Sequence, residues 1–166
     1  MHSLKDAIEA IDAAVPDATR GLPEDVFYLV SRMTPMINVD LLIKNEAGAT
    51  LLTWRADRYY GPGWHVPGGI VRFKERWEDR IAAVADGELK ARVRFSATPV
   101  AVRQPMNPHR ATRGHFISLL FPCTLETPPD ERLRHSEGEP RNGAWAWHGR
   151  CPDDLIPQHA MYREFL

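Results

Sequence analysis

Apolar residues recur at Leu4, Ala7, Ile8, Ile11 and Val15, the spacing of one face of a helix, and Ser3 just ahead suits a helix N-cap. A second helix is predicted after Pro23, with Val26, Phe27, Val30 and Met33 as its apolar face and Pro35 as its limit. Neither helix offers convergent polar groups, so residues 1–34 read as an N-terminal helical extension used for packing or dimerisation. From residue 36 the pattern becomes extended. Met36 to Ile43 is apolar and β-branched, Asn45 to Gly48 carries turn residues, and Thr50 to Trp54 resumes the strand pattern, which predicts a hairpin. Tyr59 to Gly69 packs four glycines and two prolines around Trp64 and Val66, a short strand entering a tight loop. A helix follows over Glu75 to Lys90, with Trp77, Ile81 and Val84 on one stripe. Strands are predicted at Arg92 to Phe95, Pro99 to Arg103, His115 to Thr124 and Ala144 to His148, and a short helix at His159 to Leu166.

Composition narrows the functional classes. A chain of 166 residues, 43% apolar and 26% charged, fits one globular domain with its own core. Its 21 Lys and Arg against 22 Asp and Glu give no basic excess for a nucleic acid. Cys123 and Cys151 are too few for a disulfide framework or a thiolate zinc site. Charges in Met1-His2-Ser3-Leu4-Lys5-Asp6 and a longest apolar stretch near Phe116 to Phe121 argue against a signal core or a membrane span, so the expectation is a cytoplasmic protein. Two polar loops stand out. Gln104 to Gly114 holds His109, Arg110 and Arg113 without an acid, and Glu126 to Asn142 mixes prolines, acids and arginines. Either loop reads as solvated surface, although Arg110 and Arg113 also suit closure over a phosphorylated ligand.

The chemistry concentrates in Trp64-His65-Val66-Pro67-Gly68-Gly69, followed by Glu75 and then by a helix carrying Glu88. Paired glycines bring backbone amides and carbonyls close to a ligand just before a helix N-terminus, a place suited to a diphosphate. Glu88 lies two turns after Ile81 on an otherwise apolar line and needs a partner. A hard cation would also use a nearby carbonyl; water or an arginine at the edge of the stripe is the plainer alternative.

Residues 36 to 91 resemble the Nudix hydrolase family, most nearly its GDP-mannose mannosyl hydrolase branch. The family pattern is Gly, five residues, Glu, seven residues, then Arg-Glu-apolar-any-Glu-Glu-any-Gly-apolar. Gly69 and Glu75 match, while the second block reads Ala83-Val84-Ala85-Asp86-Gly87-Glu88-Leu89-Lys90-Ala91 and keeps only Glu88 as a family helix acid. The mannosyl hydrolase branch also lacks two of those acids and keeps the last. The resemblance implies a Nudix α/β/α sandwich with a mixed sheet over residues 35–166. It implies a nucleotide sugar facing Asp40 and Arg55, with Mg2+ or Mn2+ held by the Gly68 carbonyl and Glu88. Arg58 is a further candidate phosphate contact, or simply a surface arginine beside two tyrosines. The branch's arginine after the paired glycines is Ile70 here, its helix arginine is Ala83, and its late Gln-His pair, a metal ligand and general base, meets Glu137-Gly138-Glu139-Pro140-Arg141-Asn142.

A positioned general base contributes about 10²–10⁴-fold, so its replacement matters. Glu137, Glu139 and His135 stand in that loop, with Glu137 and Glu139 as the candidate catalytic carboxylates. The expectation is therefore a hydrolase of a nucleoside diphosphate derivative such as GDP-mannose, acting as a homodimer on a small molecule and not on nucleic acid or membrane. A ligand-binding module that has lost catalysis, and a pyrophosphatase that splits the diphosphate of another substrate, are the alternatives.

Overall fold

The computed structural model describes residues 3–166, so Met1 and His2 of the opening stretch lie outside it. Ser3 caps helix α1 (Leu4–Ala14) through a reciprocal pair of bonds with Asp6, and α2 (Glu24–Ser31) follows. None of the α1 residues is buried. Strand β1 (Met36–Ile43) then forms the middle of the molecule, beside β4 (Gly68–Ile70) on one edge and β7 (Phe116–Leu125) on the other. The β1–β7 pairing is parallel and the β1–β4 pairing antiparallel, while β5 (Val93–Phe95) and β6 (Ala101–Arg103) add antiparallel to β7. A second sheet runs β3 (Gly63–His65), β2 (Thr50–Arg55), β8 (Trp145–His148). The hairpin expected from the sequence is the β1–turn–β2 segment, but its strands join different sheets and are linked at the turn by the bridge between Lys44 and Thr50.

Alternation along β1 separates two apolar cores. Val39, Leu41 and Ile43 pack with Ile81, Val84, Ala85, Leu89 and Trp145, whereas Leu42 packs with Trp64, Val66, Leu120 and Tyr162. Asp40 lies on the second side, buried with Leu42. A carboxylate in that position must be satisfied from within the protein, which singles it out before any ligand is considered.

The helix expected over Glu75 to Lys90 is α3 (Trp77–Val84) continued by a wider π turn, Ala85–Leu89, and ended by Lys90 in the left-handed conformation at φ 54°. Ile81 and Val84 are buried as the stripe required, but Trp77 is 45% exposed at the first turn. The π turn also changes the direction of Glu88, because five-residue hydrogen bonding rotates it off an ideal 3.6-residue register. The terminal helix expected at His159 to Leu166 is a 3₁₀ run, Pro157–Phe165, which lays Tyr162 into the second core.

Candidate active site

Register explains the floor of the site. Leu41 N–H donates to the Pro67 carbonyl and Val71 N–H to the Ile37 carbonyl, so Gly68, opposite Asp40, falls in a non-hydrogen-bonded pair and turns its N–H and C=O away from β1. That N–H donates to Glu88 Oε1 at 3.1 Å. Thr53 Oγ1 donates to Glu88 Oε2 at 2.8 Å, and His65 Nε2 stands 3.6 Å from the same oxygen. Glu88 thereby joins the helix segment to β2, β3 and β4 while its side chain stays 28% exposed. A side chain at position 68 would force its neighbours to shift, since a Cβ would lie 2.2 Å from Asp40 Oδ1 and 2.9 Å from the Val39 carbonyl oxygen.

Asp40 is held from within the protein. It is 1% exposed, stands opposite Gly68, and accepts from Tyr162 Oη at 2.7 Å and from Asn38 Nδ2 at 2.8 Å. Burial pushes its carboxyl up to about 7, with Tyr162, the charge of His65 and Asn38 acting in the opposite direction.

Beside Gly68 opens a cavity of about 660 Å³. β4 gives it Gly68, Gly69 and Ile70, β1 gives Asn38, and the C-terminal segment gives Gln158 and His159. Arg55, Arg103, Arg110 and Arg113 all line it, and no Asp or Glu does so among the described residues. Arg55 is paired with Asp57 and Arg103 with Glu164. Tyr60 lies under three of these cations, with Arg110, Arg55 and Arg113 at 4.8, 4.9 and 5.5 Å from its ring centre.

His159 is fixed from the other side. Its Nδ1 accepts the Val66 N–H at 3.0 Å, and its ring stands edge-on to His65 and Tyr162. Burial holds its imidazole neutral, well below the ordinary histidine range, helped by the charges of His65 and Arg55. With Nδ1 accepting, the single proton of the neutral ring is on Nε2, so the residue is a hydrogen-bond donor at that atom.

The structure brings Arg55, Gly68 and Glu88 together with Arg110 and Arg113, sets Asp40 opposite Gly68, and places Arg58, Glu137 and Glu139 apart. Arg58 pairs with Glu24 of α2 and stacks on Tyr59, outside the cavity, with its side chain 68% exposed. Glu137 and Glu139 are exposed, make no side-chain hydrogen bond among the described residues and do not line the cavity. Their loop is anchored further back, where Trp145 Nε1 donates to the Asp130 carbonyl and Asp130 N–H to the Leu89 carbonyl. Residues 136 to 139 consequently turn into solvent. His135 lies against the Trp64 ring. Conversely, Arg103, Tyr60 and His159 were not singled out by the sequence. The adjacent Gln158 and His159 were the available signal, at the very start of the short helix expected over His159 to Leu166.

The donors at Glu88 suit one kind of cation. Its carboxylate is partly open and the Gly68 carbonyl has no strand partner, which fits a magnesium-like ion completed by water and ligand oxygens. No group of three or more His, Cys, Asp or Glu able to hold a metal occurs among the described residues, so a cation caged by protein carboxylates does not fit.

Known proteins resemble this arrangement in part. No family model matches the sequence. The low-salt glycan biosynthesis protein Agl8 of Haloferax volcanii is 37% identical over 71 residues, covering 43% of this chain and 45% of that protein. The match thus spans less than half the length of that curated relative. Among solved structures, a MutT NUDIX hydrolase from Burkholderia pseudomallei superposes with a TM-score of 0.63 at 21% identity, over 80% of this chain and 98% of the other. A MutT protein from Methanosarcina mazei Go1 gives 0.58 at 21%, over 80% and 91%. The chain has the Nudix fold, in agreement with the expected α/β architecture and mixed sheet.

Proposed function

Proceeding from the Nudix fold, we propose that this chain is a divalent-metal-dependent hydrolase of a nucleoside diphosphate derivative, with a nucleotide sugar such as GDP-mannose as substrate. One observation carries the reading: Gly68 lines an acid-free cavity with four arginines and gives its N–H to Glu88. A cavity of that charge suits a diphosphate, and the glycine edge lets backbone approach it. The relative named for glycan biosynthesis supports a substrate carrying a sugar.

The chain's own groups have separable tasks. Arg55 and Arg103, each balanced by a carboxylate, orient the diphosphate, and His159 donates Nε2–H to an anionic oxygen. Thr53 holds the Glu88 carboxylate in place beside Gly68. Glu88 and the Gly68 carbonyl would hold Mg2+ or Mn2+, which when bound supplies charge neutralisation as negative charge gathers on the leaving group. The proposal extends to a homodimer through α1, whose Leu4 and Ile8 are 78% and 49% exposed, and to a cytoplasmic setting. No helix among the described residues is long and apolar enough to cross a membrane.

A second reading, a binding module without turnover, is favoured by one feature. No carboxylate lines the cavity among the described residues, and His159 already uses Nδ1 as an acceptor, so a free base is missing beside the ligand space. Turnover of a nucleotide-sugar panel with magnesium, parent against Glu88→Gln and with products separated by chromatography, decides between them. Metal-dependent hydrolysis lost in the variant supports the hydrolase. Nucleotide-sugar binding without any product supports the module. A nucleoside monophosphate product in place of the diphosphate assigns the chain to pyrophosphatase chemistry.

A further inference from the structure

The loop between β6 and β7 carries two guanidinium groups, those of Arg110 and Arg113. Arg110 and Arg113 form no ion pair among the described residues, although both line the cavity. Arg113 lies over Tyr59 at 4.8 Å and over Phe27 of α2 at 5.3 Å, and its Nε is buried without a hydrogen-bond partner among the described residues. Arg110 lies over Tyr60.

These cations are fixed by the backbone around them. Asn107 N–H donates to the Gly114 carbonyl at 2.7 Å, and Arg113 N–H to Ser31 Oγ at 3.1 Å. Arg113 adopts a left-handed backbone at φ 54°, a conformation that an ordinary side chain rarely takes. A Cβ on Gly114 would stand 2.7 Å from the Arg110 carbonyl oxygen, so the chain closes tightly there. Two like charges gathered at one aromatic ring repel, and an anion in the cavity that both line removes that penalty. Arg55 stacks on the same Tyr60 ring but is already balanced by Asp57. The unbalanced charge therefore belongs to Arg110 and Arg113.

We infer that Arg110 and Arg113, held on Tyr59 and Tyr60, form a cradle for the diphosphate of the ligand that works without a divalent cation. The inference rests on the proposed nucleoside diphosphate chemistry of the cavity. It separates binding from turnover: the arginines capture the anion, and the Glu88 and Gly68 corner matters after capture.

Calorimetric titration of the full chain with GDP in EDTA, then with magnesium, and with guanosine in EDTA as the phosphate-free probe, tests it. GDP is expected to bind in EDTA within about threefold of its affinity with magnesium, and guanosine far more weakly. Arg110→Gln and Arg113→Gln are each expected to weaken GDP in EDTA by about tenfold or more. Arg110→Gln carries the test alone should Arg113→Gln fail to fold by thermal melting. GDP binding that requires magnesium, or that is unchanged in Arg110→Gln, overturns the cradle. Hydrolysis of the panel together with magnesium-requiring binding leaves the hydrolase reading standing and sinks this one. Arginine-dependent binding in EDTA without hydrolysis does the reverse.

Discussion

The backbone N–H of Val66 donates to Nδ1 of His159, tying the C-terminal 3₁₀ segment to the strand end that leads into the paired glycines. One ring therefore has two tasks, an acceptor facing the fold and a donor at Nε2. Asparagine reproduces the first through its Oδ1, and glutamine reaches toward the second. His159→Asn should keep the melting temperature near the parent value while weakening GDP binding. His159→Gln should keep binding but lose about 1–3 kcal/mol of stability, because Val66 N–H is left unsatisfied. Equal behaviour of the two variants in melting and titration experiments would show that the tasks are not divided in this way.

Asp40 makes a pH prediction with a definite sign. Its folded carboxyl titrates near 7, above an unfolded value near 3.8, so the folded state holds the proton through that window. Stability contributed by Asp40 is then present below the unfolded value and is lost as pH rises toward 7, by at most about 1.4 kcal/mol per pH unit. His159 acts oppositely, since a neutral buried imidazole loses stability as pH falls below 6.5. The variant difference isolates Asp40. Asp40→Asn should gain stability relative to the parent between pH 5 and pH 7 in urea titrations. A parallel pair of pH profiles would place the Asp40 titration elsewhere.

Gly68 tests the floor of the site. Gly68→Ala sets a methyl group against Asp40 and the Val39 carbonyl, and overpacking of this kind costs about 1–3 kcal/mol. Truncating Asp40 to Ala in the same chain removes the 2.2 Å contact and leaves only the one at 2.9 Å. The double variant should therefore be less destabilised by the added methyl than the parent is, a positive coupling measured in a double-mutant cycle. Additive costs would mean that β4 moves away instead of Asp40.

Part of this was legible in the sequence for identifiable reasons. Local patterns gave β1, β2 and the glycine-paired turn, since alternation, turn residues and paired glycines are short-range signals. Glu88 was legible as a polar residue on an apolar stripe, but its partners Thr53 and Gly68 lie 35 and 20 residues away, and the π turn that aims it leaves no periodic mark. His159 was illegible because its role comes from contact with Val66, 93 positions away. The same limit applied to Glu137 and Glu139, placed by position alone.

Those two carboxylates yield a direct check. Both are exposed and, among the described residues, without side-chain partners, so removing their charge should disturb neither fold nor cavity. Glu137→Gln with Glu139→Gln should leave the melting temperature and any nucleotide-sugar turnover within about twofold of the parent, as surface changes do. A large loss of turnover would mean that the 126–142 loop folds over the cavity when ligand binds.

Glu75, which matches the family pattern, is engaged inside the protein. It accepts from Arg80 Nε at 2.9 Å and Nη2 at 2.7 Å, and from the Arg72 N–H at 2.8 Å, with both ionic side chains less than one-fifth exposed. Burial alone would raise its carboxyl, but the Arg72 N–H and the Arg80 guanidinium hold it below the usual range. That stability is present above the unfolded value near 4.5 and is lost as pH falls through the lower folded one. Glu75→Gln removes the charge while keeping the shape, and should cost about 1.5–3 kcal/mol at pH 7 and progressively less as pH falls below 4.5. The loop from β4 to α3 also positions Gly69 and Ile70 at the cavity, so the variant should weaken GDP as well as lower the melting temperature. A variant that melts early yet binds GDP with parental affinity would confine Glu75 to holding the helix entrance, with no influence on the cavity edge.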